Sequence, residues 1–271
     1  MTVALVTGAT QGLGRALVEG LAQRLEPTDT VYLTGRDRNR VSAAVQTVQG
    51  RARVRGELLD VADPDAATEL ARQLGERHGG IDIVFGNAVM RIGPDDNPRE
   101  IIDTYTQVNN FGTTRLLRAF APILNDNGRL LVVASSLGTL HHLAPVLHKR
   151  FTEPSSLDEI DEQIANWRDS TKEGRAGAWP AFVNIPSKIG QVAAVRVLAH
   201  QRRQSDERRG VLIAAVCPGM INTPTSALWW DVSTAPTPAQ AATALLDLAL
   251  NPVEPEHHGE LVRDGQVVPF S

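Results

Sequence analysis

The residues that could do chemistry begin almost at the first position. Thr7–Gly14 reads Thr-Gly-Ala-Thr-Gln-Gly-Leu-Gly, with glycines at 8, 12 and 14. Gly8 permits a tight turn. Gly12 lets a backbone approach a pyrophosphate, and Gly14 lets a helix pack closely on a sheet. Thr10, Gln11 and Leu13 stand between them in the same candidate loop. Open amides at the start of such a helix attract an anion. A glycine pattern alone is weak, so its context decides. Val3-Ala4-Leu5-Val6 before it reads as a buried strand, and Leu13, Ala16, Leu17, Gly20 and Leu21 recur at helical spacing after it. Strand, glycine turn and helix thus follow in the order a dinucleotide site requires.

A second chemical signal lies at the end of the next strand. Val31-Tyr32-Leu33-Thr34 runs into Gly35-Arg36-Asp37. In dinucleotide folds this tip faces the adenosine ribose. An acid there accepts a bond from a free 2′-hydroxyl, whereas an arginine pairs with a 2′-phosphate. No acid stands at Thr34 or Gly35, and Arg36 follows at once. The expected cofactor is therefore NADP(H) rather than NAD(H). Asp37 argues the other way but comes one position late.

The elements that must hold these residues alternate. Strands are expected at Arg53–Leu59, Ile81–Phe85 and Arg129–Ala134, with apolar-periodic helices between them. That alternation predicts an α/β fold, a mainly parallel sheet covered on both faces, with ligands beyond the carboxyl ends of the strands. Pro238-Ala239-Gln240 opens a last long helix, and Gly259–Val268 reads as a final strand. At 271 residues and 42% hydrophobic content the chain suits one large domain spanning 1–271. A net charge of −4 without a Lys/Arg-rich block argues against a nucleic-acid partner. The single cysteine, Cys217, excludes an intrachain disulfide. No Cys/His/acid cluster has metal-ligand spacing, so no metal is expected. No apolar run approaches a membrane span, and the first strand begins at Val3, which leads to the expectation of a cytoplasmic protein without a membrane partner.

These features, taken with further motifs, resemble the short-chain dehydrogenase/reductase family, and within it the monomeric carbonyl-reductase branch. Thr7–Gly14 is similar to the family's cofactor loop, and Asp60-Val61 to the pair that contacts adenine. Asn87-Ala88 corresponds to part of the motif after strand four, and Asn109 to the helix asparagine that supports the catalytic lysine through water. Ser136 corresponds to the catalytic serine and Lys188 to the lysine of Tyr-x-x-x-Lys. Cys217–Thr223, with Pro218, Gly219, Ile221 and Thr223, corresponds to the loop that holds the nicotinamide carboxamide. The resemblance implies a Rossmann-type, doubly wound sheet of seven strands in the order 3-2-1-4-5-6-7. It also implies that an insert at about 141–177, helical near Leu157–Trp167, covers the face other members use to form tetramers. The expected state is a monomer. A Pro/Thr-rich stretch at about 224–237 is the expected substrate lid.

The pattern breaks where the family's proton donor should stand. The position four residues before Lys188 is Asn184, and the chain's two tyrosines are Tyr32 and Tyr105. An asparagine amide donates a hydrogen bond but does not titrate, so it can stabilise an oxyanion without protonating it. Pro186 belongs in a first helical turn, so Asn184 is also placed to cap a helix that starts late. The motif after strand four has Val89 where its last glycine is expected. His141 and His142 follow Ser136 on the loop that lines the family's substrate pocket, and either could serve as an acid. Trp179, Trp229 and Trp230 flank the expected substrate mouth. The leading expectation is an NADP(H)-dependent reductase of a carbonyl or similarly polarised group. In it Ser136 holds the substrate oxygen, Lys188 the ribose and Asn109 the lysine, while Asn184 donates a hydrogen bond and water or His142 gives the proton. Two alternatives stand beside it. One is an isomerase, cyclase or lyase in which Ser136 and Asn184 stabilise an enolate. The other is a non-catalytic NADP(H)-binding sensor.

Overall fold

The computed structural model describes residues 1–271. Seven parallel strands, β1 (Val3–Val6), β2 (Thr30–Gly35), β3 (Arg53–Leu58), β4 (Ile81–Gly86), β5 (Leu124–Val133), β6 (Leu212–Val216) and β7 (Leu261–Arg263), lie in the order β3-β2-β1-β4-β5-β6-β7. An eighth, β8 (Gln266–Val268), pairs antiparallel with β7. The sheet therefore has eight strands, not the expected seven. The tail folds back on itself because Asp264 and Gly265 both take positive φ, 50° and 72°. A two-residue hairpin of the mirror-image turn type needs this pair of conformations, and Asp-Gly adopts them readily.

Alternate residues of each strand feed opposite faces. Val3 and Leu5 enter one apolar cluster, and Ala4 and Val6 enter the other. Burial on both faces is why β1 and β6 are continuous apolar runs rather than alternating ones. One face carries α1 (Gly12–Arg24), α2 (Arg38–Thr47) and α9 (Pro238–Leu250). The other carries α3 (Ala66–His78), α4 (Pro98–Thr106) and, after a π-helical stretch at Gln107–Phe111, α5 (Gly112–Phe120).

The insert contributes α6 (Lys149–Thr152) and α7 (Leu157–Lys172), which lie beside α8 (Asn184–Arg209). Ser156 caps α7 by accepting from the Glu159 amide at 3.2 Å. The buried face of α7, with Ile160, Ile164 and Trp167, joins the same core as α8. Contact is close at Gly190, where an added Cβ would lie 2.5 Å from Ile164 Cδ1. No helix is long and apolar enough to cross a membrane.

Candidate active site

The glycine loop is fastened to the end of β4. The Thr7 hydroxyl accepts from the amides of Asn87 (2.8 Å) and Ala88 (2.9 Å). Asn87 Nδ2 donates back to the carbonyls of Thr7 (2.9 Å) and Gly8 (3.2 Å). Gly8 has φ +62°, and a Cβ there would lie 2.7 Å from the Ala88 Cα, so no larger residue fits. A groove of about 480 Å³ opens beside this loop. Gly8, Thr10, Gln11, Leu13 and Gly14 form its floor, and Arg36, Asp60, Val61, Asn87 and Ala88 come from the ends of β2, β3 and β4. Gly12 opens α1 at φ +57°.

At the β2 tip the charge is positive. Arg36 is joined on the groove by Arg40, whose Nη2 reaches Gln11 Oε1 at 2.7 Å. Asp37 does not compete, because its carboxylate caps α2 by accepting from the Arg40 amide at 2.8 Å. A narrow glycine cradle ending at two guanidiniums fits a dinucleotide that carries a phosphate on its ribose.

A second cavity of about 560 Å³ shares Leu13, Asn87, Val89, Met90 and Arg91 with the groove, so the two meet along that wall. Ser136, Asn184 and Lys188 line it together, with Pro218, Gly219, Ile221 and Thr223 from the loop after β6. Val89 stands at the junction of the two spaces. Phe182 and Trp229 close the far side, their ring centroids 5.1 Å apart, and Trp230 packs against both. Trp229 Nε1 donates to the Ile92 carbonyl at 3.0 Å, and Arg91 donates to the Thr225 hydroxyl. These two bonds tie the stretch around Thr225 and Trp229 to the segment after β4.

Asn184 is the first residue of α8. Val183, not Asn184, occupies the cap position, and Pro186 falls in the first turn. The Asn184 side chain is free for another partner, and that partner is Tyr105. The Tyr105 hydroxyl donates to Asn184 Oδ1 at 3.1 Å and lines the same cavity. Burial pushes the Tyr105 phenol up to about 12, while hydrogen bonding with the Asn109 and Ser187 side chains works the other way.

One turn on, Lys188 Nζ donates to the Val133 carbonyl (3.1 Å) and to Gln191 Oε1 (2.8 Å). Burial pulls this ammonium down to about 8, with Cys217 opposing. Gln191 Nε2 donates in turn to the Asn109 carbonyl at 2.8 Å. Asn109 is thus linked to Lys188 through the Gln191 side chain. Its own side chain is turned to Met90, accepting from that amide at 2.7 Å and donating to that carbonyl at 3.0 Å.

The comparisons agree with this architecture. A family model of short chain dehydrogenases matches residues 2–145. Carbonyl reductase (NADPH) 1 of Mus musculus is 31% identical over 279 residues, covering 99% of this chain and 98% of that protein. The human protein of the same name is 32% identical over 276 residues, covering 98% and 97%. The chain belongs to the short-chain dehydrogenase/reductase family. Two solved structures share the fold. Salutaridine reductase from Papaver somniferum has a TM-score of 0.80 at 20% identity, over 96% of this chain and 99% of that one. Menthone neomenthol reductase from Mentha piperita has 0.77 at 22%, over 98% and 99%.

Three expected residues stay away from the site of this short-chain dehydrogenase/reductase. His141 and His142 are exposed. They sit on a short turn whose first residue, Leu140, is buried and bonded through its amide to the Phe270 carbonyl at 2.7 Å. That anchor leaves both imidazoles outside the cavity. Trp179 packs on Phe151 and Trp167 of the insert, with centroids 6.1 Å away in each case. A third cleft, about 610 Å³ between α2 and α3 over β3, holds none of the family's motif residues.

Sequence reasoning missed Tyr105, Gln191, Phe182 and Arg40. Gln191 had a signal, since it stands three residues after Lys188 on one helical face. Arg40 had one too, standing four residues after Arg36. Tyr105 had none, because its partner lies on another helix.

Proposed function

We propose that this protein uses NADP(H) to reduce a carbonyl or similarly polarised group of a small organic molecule, without a tyrosine at the family's usual position. One observation carries the reading. Ser136, Asn184 and Lys188 line a single cavity, and that cavity opens onto the dinucleotide groove. The NADPH carbonyl reductases among its relatives support the same reading, and Arg36 and Arg40 are the groups that would meet the 2′-phosphate. When bound, the cofactor supplies the hydride.

The chain's own residues then do three things. Ser136 donates a hydrogen bond from its hydroxyl to the substrate oxygen; the neighbouring Ser135 oxygen accepts from the Leu137 amide at 3.2 Å. Asn184, whose Oδ1 is held by Tyr105, keeps its Nδ2 hydrogens for the same oxygen. Two such donors aimed at developing negative charge lower the barrier most where water is excluded. Phe182, Trp229 and Trp230 provide that exclusion. Lys188 has two of its N–H groups fixed by Val133 and Gln191, and the third remains for a ribose hydroxyl.

We read the chain as a monomer, because α7 covers α8 at Gly190. Sedimentation at several concentrations tests that. The activity test is NADPH consumption over aldehydes, diketones and quinones, with NADPH binding measured separately. Turnover supports the reductase. Tight binding without turnover on any member overturns it and favours chemistry without net hydride transfer.

A further inference from the structure

We infer that Tyr105, reaching the cavity from α4, is the proton donor of this site in place of the residue at 184. The inference rests on the reductase reading above and names the group that reading lacks.

The geometry carries it. The Tyr105 hydroxyl lies 3.1 Å from Asn184 Oδ1, and both side chains line the cavity that holds Ser136 and Lys188. The family's tyrosine sits at the start of α8; here its hydroxyl is delivered to the same corner from a neighbouring helix. The other groups are poorly suited. Ser136 is an aliphatic alcohol and needs a proton source of its own. His141 and His142 face solvent. The second tyrosine, Tyr32, is bonded to His78 (2.9 Å) and Arg77 (2.9 Å) away from the cavity.

Asn184 can serve both protonation states of the phenol. With its oxygen inward it accepts from the neutral hydroxyl. After a half-turn of the amide, its Nδ2 donates to the phenolate instead. Donation to the charged form favours that form.

The step balances. As the new C–H bond forms, the carbonyl π pair moves onto the substrate oxygen. The Tyr105 hydroxyl hydrogen turns from Asn184 Oδ1 to the substrate oxygen, the Tyr105 O–H bond breaks and the product O–H bond forms. The phenolate then takes a proton from water, leaving hydroxide. A phenol pushed up to about 12 is still a far stronger acid than an alcohol, so the transfer runs downhill. The other titratable groups on the cavity wall are Lys188, Cys217, Arg91 and Arg263. From α7, Arg168 and Lys172 are paired with Asp103 rather than with the phenol.

The experiment compares wild type, Tyr105→Phe and the double variant Tyr105→Phe/Asn184→Tyr. Carbonyl reduction is read beside NADPH affinity. Tyr105→Phe keeps the ring and is expected to lose about 10²- to 10⁴-fold in kcat, the usual effect of removing a general acid, with NADPH affinity unchanged. Restoring a tyrosine at 184 in that background is expected to recover turnover, which a mere folding defect would not do. A second readout does not depend on turnover. In a Tyr32→Phe background the ultraviolet tyrosinate band reports Tyr105 alone, and positively charged NADP⁺ is expected to lower its titration midpoint. A Tyr105→Phe enzyme with wild-type kcat, or a phenol midpoint indifferent to NADP⁺, overturns the inference while leaving the reductase reading intact. A wild type that binds NADPH and reduces nothing overturns both.

Discussion

Lys188 shows what the site costs the fold. Its ammonium is held at about 8 against an ordinary 10.5 because it is buried beside two neutral acceptors. Between those two values the unfolded chain binds the proton and the folded chain does not. Stability therefore rises with pH across that window, and the full cost is present below pH 8. The size is on the order of 3 kcal/mol. Lys188→Met is expected to lose this slope. Urea midpoints taken below pH 8 and at about pH 9.5, before Tyr105 begins to titrate, should separate more for wild type than for the variant; equal slopes would mean that another group titrates. At this scale the sequence was legible where chemistry is local. Gly8, Arg36 and Lys188 are each read from their neighbours in the chain. Tyr105 was not, since the contact with Asn184 joins positions 79 apart and exists only once α4 is brought to the start of α8. The exposure of His141 and His142 was equally hidden, because it follows from the burial of Leu140 against the tail.

The elements divide in the same way. Each strand–helix unit was readable from its apolar period, and β1, the glycine turn and α1 from their order alone. The Asp264-Gly265 pair carried a hairpin signal, but with strands of three residues either side it read as one extended segment. The insert read as a charged excursion with one helix, whereas α7 buries Ile160, Ile164 and Trp167 in the main core. Ile164 is fully buried and seated on Gly190. Ile164→Ala is expected to lower stability by about 2–5 kcal/mol, read as a shifted urea midpoint. A loss under about 0.5 kcal/mol, the range of ordinary surface changes, would mean the insert does not belong to the cooperative unit. The stretch after β6 is held at Trp229, through its bond to Ile92 and its packing on Phe182. Trp229→Ala should raise KM more than it lowers kcat, and the reverse split would assign Trp229 to the chemical step.

Over the whole molecule, the cofactor groove and the substrate cavity draw residues from the ends of β1, β2, β3, β4, β5 and β6. A ligand filling them ties the sheet together, so binding and stability are linked. NADPH at a hundredfold excess over its Kd should stabilise the protein by about 2.7 kcal/mol. NADH at the same concentration should do much less, because nothing on it meets Arg36 and Arg40. Arg36→Ala removes one charge-assisted bond, about 1.5–3 kcal/mol, and is expected to cost NADPH roughly 10- to 100-fold in affinity while leaving NADH unchanged. Thermal shifts with both nucleotides check this. Equal losses for the two would move the 2′-phosphate away from Arg36.

The π-helical stretch at Gln107–Phe111 sits between Tyr105 and α5. A π turn holds one residue more than an α turn, and each residue of an α-helix turns the chain by about 100°. Deleting a single residue there would rewind the helix and swing Tyr105 away from Asn184 with every side chain of the site unchanged. The proton donor of this chain is thus set by a count of residues as much as by their kinds. Among descendants of a common ancestor it could be gained or lost through an insertion or deletion, a change that comparing residue identities at aligned positions would never register.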